Sequence, residues 1–270
     1  MRNIFLKPEL QTEIDKEGYV IIPSYLNEEE LNELRTFQGS RPLGEGEGFH
    51  MSNWSMELEA RTEIYQKLVD VVGKRSNEFL DHYKPALACF AVKRSGDNTE
   101  MDLHQDWSLV DESKYSSVSI WVPLVDINRE NGNIQVLKRS HKYVTAPRGQ
   151  NIPVPFEELK ETIKANHMMD ISLKAGDAMI FEHKLVHGSP INKTEYPRVS
   201  AVLALIPKET HLVHYFIDPE GDPNKIEMLE LEDDLYVQYD FFNYSQKPKH
   251  KKSIGQIDFE YRPITTADLI

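Results

Sequence analysis

Two side chains in the segment His-Gln-Asp at residues 104–106 are suited to binding a divalent metal. In a β-strand, residues i and i+2 point to the same face of the sheet, so the imidazole of His104 and the carboxylate of Asp106 are predicted to converge on one point. His187, which precedes a Gly-Ser pair, is the best candidate for a third ligand. Two histidines and one carboxylate on one side of an iron ion leave three positions open, as in non-haem Fe(II) oxygenases, where a co-substrate and O2 both bind the metal.

A positive charge is expected close to this candidate metal site. Arg198 follows His187 and opens the β-rich run Arg198-Val199-Ser200. A guanidinium held by a β core can bind a carboxylate through two parallel hydrogen bonds, and Ser200 could add a hydroxyl donor beside it. A His-x-Asp pair alone occurs easily by chance, so its coincidence with His187 and Arg198 is what supports the metal site.

The elements that must position these residues are predicted to be short β-strands. Turn sequences such as Asn131-Gly132-Asn133 and Gly188-Ser189-Pro190 separate the β-rich runs. The predicted strands cover residues 86–93, 118–125, 134–137, 168–173, 178–181, 198–206 and 212–217. Many short strands with little helix between them favour an antiparallel sandwich or barrel.

Helices are expected mainly before this β-rich part, in about residues 1–85. Asn27 and Glu30 have the spacing of a capping box, and a second helix is predicted over about residues 56–81. Gly44, Gly46 and Gly48 predict a mobile loop, and a helical insertion is expected at about 155–166. The chain is therefore interpreted as one domain over residues 1–270, with a helical part at about 1–85, a β core at about 86–217 and an extension at 218–270.

Between about residues 86 and 206 the sequence resembles the phytanoyl-CoA dioxygenase family of Fe(II)/2-oxoglutarate-dependent oxygenases. One departure is Lys138-Arg139-Ser140-His141, where the family usually has Pro-Gly before Ser-His. The stretches that carry the resemblance are His104-Gln105-Asp106, Trp121-Val122-Pro123-Leu124-Val125-Asp126, Glu130-Asn131-Gly132-Asn133-Ile134-Gln135-Val136, Ser140-His141, Ala175-Gly176-Asp177, His187-Gly188-Ser189 and Arg198.

The resemblance implies a mainly β fold with flanking helices around a double-stranded β-helix (a jelly-roll, cupin-like core). It implies that His104, Asp106 and His187 bind Fe(II), and that Arg198 binds the distal carboxylate of 2-oxoglutarate, with O2 as the second co-substrate. The residues implied to line the co-substrate pocket are Trp121, Gln105 and Ser189. His183 is not assigned as a ligand, and Cys89 and Lys93 are expected to be packed in the core and exposed to solvent, respectively.

The activity implied by the resemblance is oxidative decarboxylation of 2-oxoglutarate to succinate and CO2, coupled to attack on a substrate C–H bond. Asp106 favours hydroxylation, because related halogenases have Gly or Ala there; desaturation and cyclisation remain alternatives. A small polar metabolite is expected, with an acyl-CoA or a specialised metabolite as alternatives. Two other classes stay open: a zinc-dependent hydrolase, which has no need of Arg198, and a non-catalytic ligand-binding β barrel.

Composition excludes several classes of partner. The chain has 270 residues with 31 Lys+Arg against 44 Asp+Glu, a formal net charge of −13, so nucleic acid is not expected as a partner. The sequence has neither an apolar run of membrane-spanning length nor a signal-peptide stretch. The single cysteine, Cys89, excludes an intramolecular disulfide and predicts a cytoplasmic location. The expected partner is a small-molecule substrate, and a homodimer is possible.

Overall fold

The computed structural model describes residues 2–41, 48–54, 57–233, 237 and 251–269. Gly44 and Gly46, in the predicted mobile loop, lie outside the described residues. The helices are α1 (Pro8–Glu17), α2 (Glu28–Gly39), α3 (Leu58–Leu68), which continues through a π-helical stretch (Val69–Gly73) into α4 (Lys74–Ser76), and α5 (Lys160–Asn166). In the part of the chain that the structure describes, no helix is long and apolar enough to cross a membrane.

Thirteen strands form three antiparallel sheets within the described residues. The strands are β1 (Tyr19–Ile22), β2 (Phe49–Met51), β3 (Tyr83–Lys93), β4 (Met101–His104), β5 (Val118–Pro123), β6 (Ile134–Leu137), β7 (Met168–Ile171), β8 (Ala178–Glu182), β9 (His187–Ser189), β10 (Arg198–Pro207), β11 (Leu212–Phe216), β12 (Lys225–Leu231) and β13 (Lys252–Asp258). A six-stranded sheet has the order β1-β8-β5-β10-β3-β2, a four-stranded sheet the order β4-β9-β6-β7, and a three-stranded sheet the order β11-β12-β13.

The six-stranded sheet is covered on both faces. Alternate residues on β5, such as Ile120 and Val122, pack with Leu34 of α2 and Leu68 of α3 in one apolar cluster. On the opposite face, Trp121 packs with residues of the four-stranded sheet. Because successive strand residues point to opposite faces, one face carries the helices and the other meets the second sheet. Two antiparallel sheets packed in this way confirm the predicted mainly β fold with its double-stranded β-helix core.

The seven predicted runs lie close to observed strands (β3, β5, β6, β7, β8, β10 and β11), whereas other parts of the chain differ from the prediction. The capping box of Asn27 and Glu30 forms at the start of α2. The predicted helix over 56–81 is shorter, since α4 ends at Ser76, and Met56 lies outside the described residues. Six strands do not correspond to any predicted run, namely β1, β2, β4, β9, β12 and β13. β1 and β2 are only four and three residues long, which is too short for an alternating pattern to be distinguished from a helical one.

Candidate metal and co-substrate site

The predicted metal ligands meet where β4 and β9 run side by side. His104 ends β4, His187 begins β9, and the two residues are partners in the antiparallel register. Asp106 lies two residues beyond the end of β4 in an irregular segment, so it converges with His104 through a loop and not through strand alternation. One ligand atom from each of the three residues lies within 4.8 Å of the others. Oδ1 of Asp106 is 4.0 Å from Nε2 of His104 and 3.9 Å from Nε2 of His187.

Backbone carbonyls orient both imidazoles. Nδ1 of His104 lies 2.8 Å from the carbonyl oxygen of Asp102, and Nδ1 of His187 lies 2.9 Å from that of Leu185. A carbonyl oxygen only accepts, so each Nδ1 carries the hydrogen and donates it. Each Nε2 then keeps its lone pair for a metal. A hydrogen bond from the other ring nitrogen to a carbonyl is what metal-binding histidines usually make.

The two carboxylate oxygens of Asp106 have different surroundings. Oδ2 accepts a hydrogen bond from Oγ of Ser119 at 2.8 Å, whereas Oδ1 faces the two histidines. The backbone carbonyl of Asp106 accepts a hydrogen bond from Nε of Arg148 at 3.1 Å, and the guanidinium of Arg148 is also paired with both carboxylate oxygens of Glu112. Asp106 is therefore held at its backbone and at one oxygen, and Oδ1 is left for a metal.

The electrostatics of the site match the charge states that metal binding requires. Burial opposes the ionisation of Asp106, but His183, His187, His104 and the Ser119 hydroxyl together lower its pKa to about 2. Burial, with His104 alongside, lowers the pKa of His187 to about 4. At neutral pH the site thus presents a carboxylate and a neutral imidazole, the forms in which these side chains bind a metal.

A cavity of about 90 Å³ lies between the two sheets and connects the three ligands with Arg198. Apart from the ligands and Arg198, its wall is mostly apolar. The remaining lining residues are Phe49, Met51, Ala91, Met101, Ser119, Trp121, Ile134, Phe181, Gly188, Ser189 and Val202. The cavity is therefore an apolar enclosure with a metal-binding group of side chains and one guanidinium.

Arg198 is a buried cation without a carboxylate partner among the described residues. It is 2% exposed, and its Nη1 donates to Oγ of Ser200 at 3.2 Å. Its guanidinium lies 5.2 Å from the ring centroid of Trp121, and Nε is buried with no hydrogen-bond partner in the structure. Burial lowers the pKa of Arg198 to about 9. A buried guanidinium with unused donors in a cavity is a binding site for a carboxylate.

The other residues predicted to contact the co-substrate divide into two groups. Trp121 and Ser189 line the cavity, although the Ser189 hydroxyl donates to the carbonyl of Gly132 at 2.8 Å. Gln105 and Ser200 are not among the lining residues: the amide of Gln105 donates to the carbonyls of Val144 and Lys184, and Ser200 holds Arg198. Direct contact of Gln105 or Ser200 with a co-substrate therefore stays a prediction, and their observed contacts are with the protein.

Lys93 differs most from its expectation. It was predicted to be exposed to solvent, yet it is 0% exposed and lies opposite Arg198 in the register of β3 and β10. Its ammonium donates to the carbonyls of Thr99 at 2.5 Å, Pro190 at 2.6 Å and Ser189 at 3.2 Å. Burial and the neighbouring Arg198 lower the pKa of Lys93 to about 7. The residue thus joins the end of β3 to the segment that follows β9.

Sequence reasoning also missed the residues that support Asp106. Ser119 was inside a predicted strand, two residues before Trp121 and hence on the same face, which is a usable signal. His183 is not a predicted ligand, and the structure places it outside the group of three ligands. No sequence pattern indicates that Arg148 supports Asp106, because this contact depends on how a long loop folds back onto residue 106.

The fold is a jelly roll that carries a His-Asp-His group and a buried arginine with no carboxylate partner among the described residues. These features define a class of protein, namely a double-stranded β-helix with a site for one metal ion. The family model of phytanoyl-CoA dioxygenase matches residues 14–200, and the chain belongs to this family of Fe(II)/2-oxoglutarate-dependent oxygenases. This confirms the family resemblance.

Individual relatives are more distant. The chain is 28% identical over 124 residues to ectoine dioxygenase of Nocardia farcinica, a match covering 41% of this chain and 42% of that protein. It is 26% identical over 151 residues to the peroxisomal phytanoyl-CoA dioxygenase of Bos taurus, covering 54% of this chain and 44% of that protein. The match therefore spans less than half the length of either curated relative.

A solved structure shares the fold. HygX from Streptomyces hygroscopicus, determined with nickel, 2-oxoglutarate and hygromycin B bound, superposes with a TM-score of 0.54 at 18% identity. The superposition covers 76% of this chain and 88% of HygX.

Proposed function

We propose that this protein is a non-haem Fe(II)- and 2-oxoglutarate-dependent dioxygenase. The observation that carries the proposal is that one cavity contains the His104, Asp106 and His187 group together with the buried guanidinium of Arg198, which has no carboxylate partner among the described residues. A dicarboxylate can contact a metal at one end of such a cavity and a cation at the other.

The donor set fits iron. Two neutral imidazoles and one carboxylate are the ligands of the non-haem Fe(II) oxygenases, and they would hold the metal through Nε2 of His104, Nε2 of His187 and Oδ1 of Asp106. When bound, iron with 2-oxoglutarate and O2 supplies oxidative decarboxylation to succinate and CO2 and the oxidation of a substrate C–H bond.

The residues of the chain contribute binding, orientation and exclusion of water. Arg198 neutralises the distal carboxylate of 2-oxoglutarate, and Ser200 fixes the guanidinium from the side. The apolar wall around Trp121 keeps water away from the ion pair, which strengthens it. Asp106 stays ionised at neutral pH and supplies the negative charge that a divalent cation needs.

We further propose that the substrate is a small polar metabolite and that the outcome is hydroxylation. The net charge of −13 disfavours a polyanionic CoA thioester. Two similar proteins support a polar substrate. One is named for ectoine, and the other, HygX, was determined with hygromycin B bound. The similarity to bovine phytanoyl-CoA dioxygenase supports the second candidate, an acyl-CoA substrate. One domain over residues 1–270, a homodimer and a cytoplasmic location stay predictions.

The test is to add Fe(II) and 2-oxoglutarate to the metal-free protein without O2 and to record the visible spectrum. A weak metal-to-ligand charge-transfer band is expected from the wild type and from neither His187→Ala nor Asp106→Ala. O2 should then release succinate, more of it when the right compound from a panel of amino acids, other polar metabolites, terpenoids and acyl-CoAs is present. A protein that gives no band and no succinate, but binds Zn(II) and hydrolyses esters or amides, would contradict the proposal.

A further inference from the structure

Asp106 is the only one of the three ligands that no strand positions. β4 ends at His104, and Asp106 belongs to an irregular segment in which ladder hydrogen bonds do not fix the backbone. A carboxylate on such a segment can turn about its side-chain bonds unless other groups hold it. Such groups are present, and they are buried.

The support begins at the oxygen that faces away from the two histidines. Oγ of Ser119 donates to Oδ2 of Asp106 at 2.8 Å and lies 3.1 Å from Nε2 of His183. Nδ1 of His183 lies 3.0 Å from the carbonyl oxygen of Trp107, the residue after Asp106. The imidazole of His183 therefore contacts the backbone next to Asp106 on one side and, on the other, the hydroxyl group of Ser119 that donates to Asp106.

Both supporting residues are held by the six-stranded sheet, one within a strand and one directly after a strand. Ser119 is the second residue of β5, and His183 directly follows β8, which pairs with β5. Each is 2% exposed, so water does not compete for these hydrogen bonds. A buried side chain hydrogen bond to a charged group is stronger than an exposed one, and side chains locked by packing hold a site most precisely.

We propose that Ser119 and His183 are positioning residues that hold Asp106 as a ligand through Oδ1 alone. Ser119 occupies Oδ2 and His183 packs beside Ser119, so together they prevent the carboxylate from taking two positions on the metal. The inference rests on the proposed function, since it assigns the residues a role toward the iron of that site. It extends that function by naming what keeps a coordination position open for the co-substrates.

The chain offers a matched control directly before the strand that carries Ser119. Ser117 is two residues before Ser119 and is also 2% exposed, but its hydroxyl has no hydrogen-bond partner in the structure. Ser117→Ala and Ser119→Ala therefore remove the same atom from similarly buried sites, and only the second removes a contact with Asp106. Ser119→Thr keeps the hydroxyl and serves as the rescue variant. His183→Asn keeps an amide donor near the Trp107 carbonyl but cannot reach Ser119.

The measurement is the dissociation constant of Co(II) for the metal-free full chain, together with the visible d–d spectrum of the Co(II) protein. Ser119→Ala is expected to weaken binding by about 10- to 100-fold, the usual effect of losing a contact that orients a metal ligand. Its band should also change in intensity, because a carboxylate that binds through both oxygens alters the coordination number. His183→Asn should change both readouts in the same direction, while Ser119→Thr and Ser117→Ala should resemble the wild type.

Different results separate the two proposals. If the wild type binds Co(II) but Ser119→Ala binds it equally well with an unchanged spectrum, the positioning role is wrong and the proposed function stands. Equal losses in Ser117→Ala and Ser119→Ala would also overturn the role, because the effect would then come from packing. Failure of the wild type to bind Co(II) would instead overturn the proposed function.

Discussion

Arg198 is a cation that the fold buries without giving it a counter-ion among the described residues. Burying a charge is costly unless a partner compensates it. The cost of burying Arg198 beside the metal-binding group is therefore compensated only when an anion binds next to it. The residue therefore predicts two measurable properties of co-substrate binding.

Replacing Arg198 should weaken 2-oxoglutarate binding far more than it weakens the fold. Truncating one partner of a desolvated ion pair costs about 2–5 kcal/mol, which corresponds to about 30-fold to several-thousand-fold in affinity. Arg198→Lys keeps the charge but loses the second donor, so it should fall between wild type and Arg198→Ala. The 2-oxoglutarate dependence of succinate formation measures this effect. A collapse of the Tm in ligand-free Arg198→Ala would show a structural role, and an unchanged apparent affinity would remove Arg198 from the site.

The same residue predicts a pH dependence at alkaline pH. Burial lowers the pKa of Arg198 to about 9, so in the free protein its charge is nearly complete at pH 7 to 8, is half lost at about pH 9 and is lost further as the pH rises. The carboxylates of 2-oxoglutarate stay ionised over this range. The apparent KM for 2-oxoglutarate should therefore be nearly constant from pH 7 to 8 and rise steeply above about pH 9. A KM that stays flat to pH 10.5, where the enzyme is still folded by circular dichroism, would contradict the assignment.

At the scale of elements, Lys93 joins β3 to the two segments that carry the histidines. Its ammonium binds the carbonyls of Thr99, before β4, and of Ser189 and Pro190, at the end of β9. Gly132 packs on its stem, since a Cβ there would lie 2.6 Å from Cδ of Lys93. The side chain of Lys93 thus links the six-stranded sheet to the segments on either side of the four-stranded sheet that carry Thr99, Ser189 and Pro190.

Lys93→Met keeps the length of the stem and removes the donors, leaving buried carbonyls unsatisfied. It should lower the free energy of unfolding by about 1–3 kcal/mol, the cost of losing buried hydrogen-bond partners. The control is Lys84→Met, on the same strand, which removes an ion pair with the exposed Asp233 and should cost less than about 1 kcal/mol. Urea unfolding measures both changes. Equal midpoints for the two variants would show that the buried contacts of Lys93 contribute no special stability.

The sequence predicted the elements whose signal is local and missed those that depend on distant contacts. The run at 134–137 coincides with β6, because β-branched residues between turn sequences identify a strand. The short edge strand β1 is fixed by pairing with β8, far away in the chain, and was missed. At the site, His104, Asp106 and His187 were recognisable from residue type and motif. The contacts of Arg148 and Lys93 follow from three-dimensional packing, so no pattern in the chain indicated them.

At the scale of the whole molecule, the third sheet is tied to the segment that carries Asp106. Tyr215 of β11 donates from its hydroxyl to the carbonyl of Val110 at 2.9 Å, and Phe216 bridges to Gln150 in the loop of Arg148. The sheet β11-β12-β13 and the double-stranded β-helix should therefore unfold together.

Calorimetry tests this expectation. The metal-free chain should show one thermal transition, and Co(II) with 2-oxoglutarate, in the absence of O2, should move the whole transition upward. Ligand at a hundred times its Kd stabilises the folded state by about 2.7 kcal/mol through mass action. Two separate transitions, of which only one responds to the ligand, would contradict a common unfolding unit and also the prediction of one domain.

The two histidines of the site are unequally exposed: the side chain of His104 is 34% accessible to solvent and that of His187 is 10%. The site is thus a recess with its rim at His104 and its floor at His187. Metal, 2-oxoglutarate and substrate must all enter past His104. Because 2-oxoglutarate would bind deepest, next to Arg198, it has to enter before a substrate covers the opening. Product release must run in the reverse order, so succinate would leave last, and a high concentration of succinate should slow turnover by competing with the incoming 2-oxoglutarate.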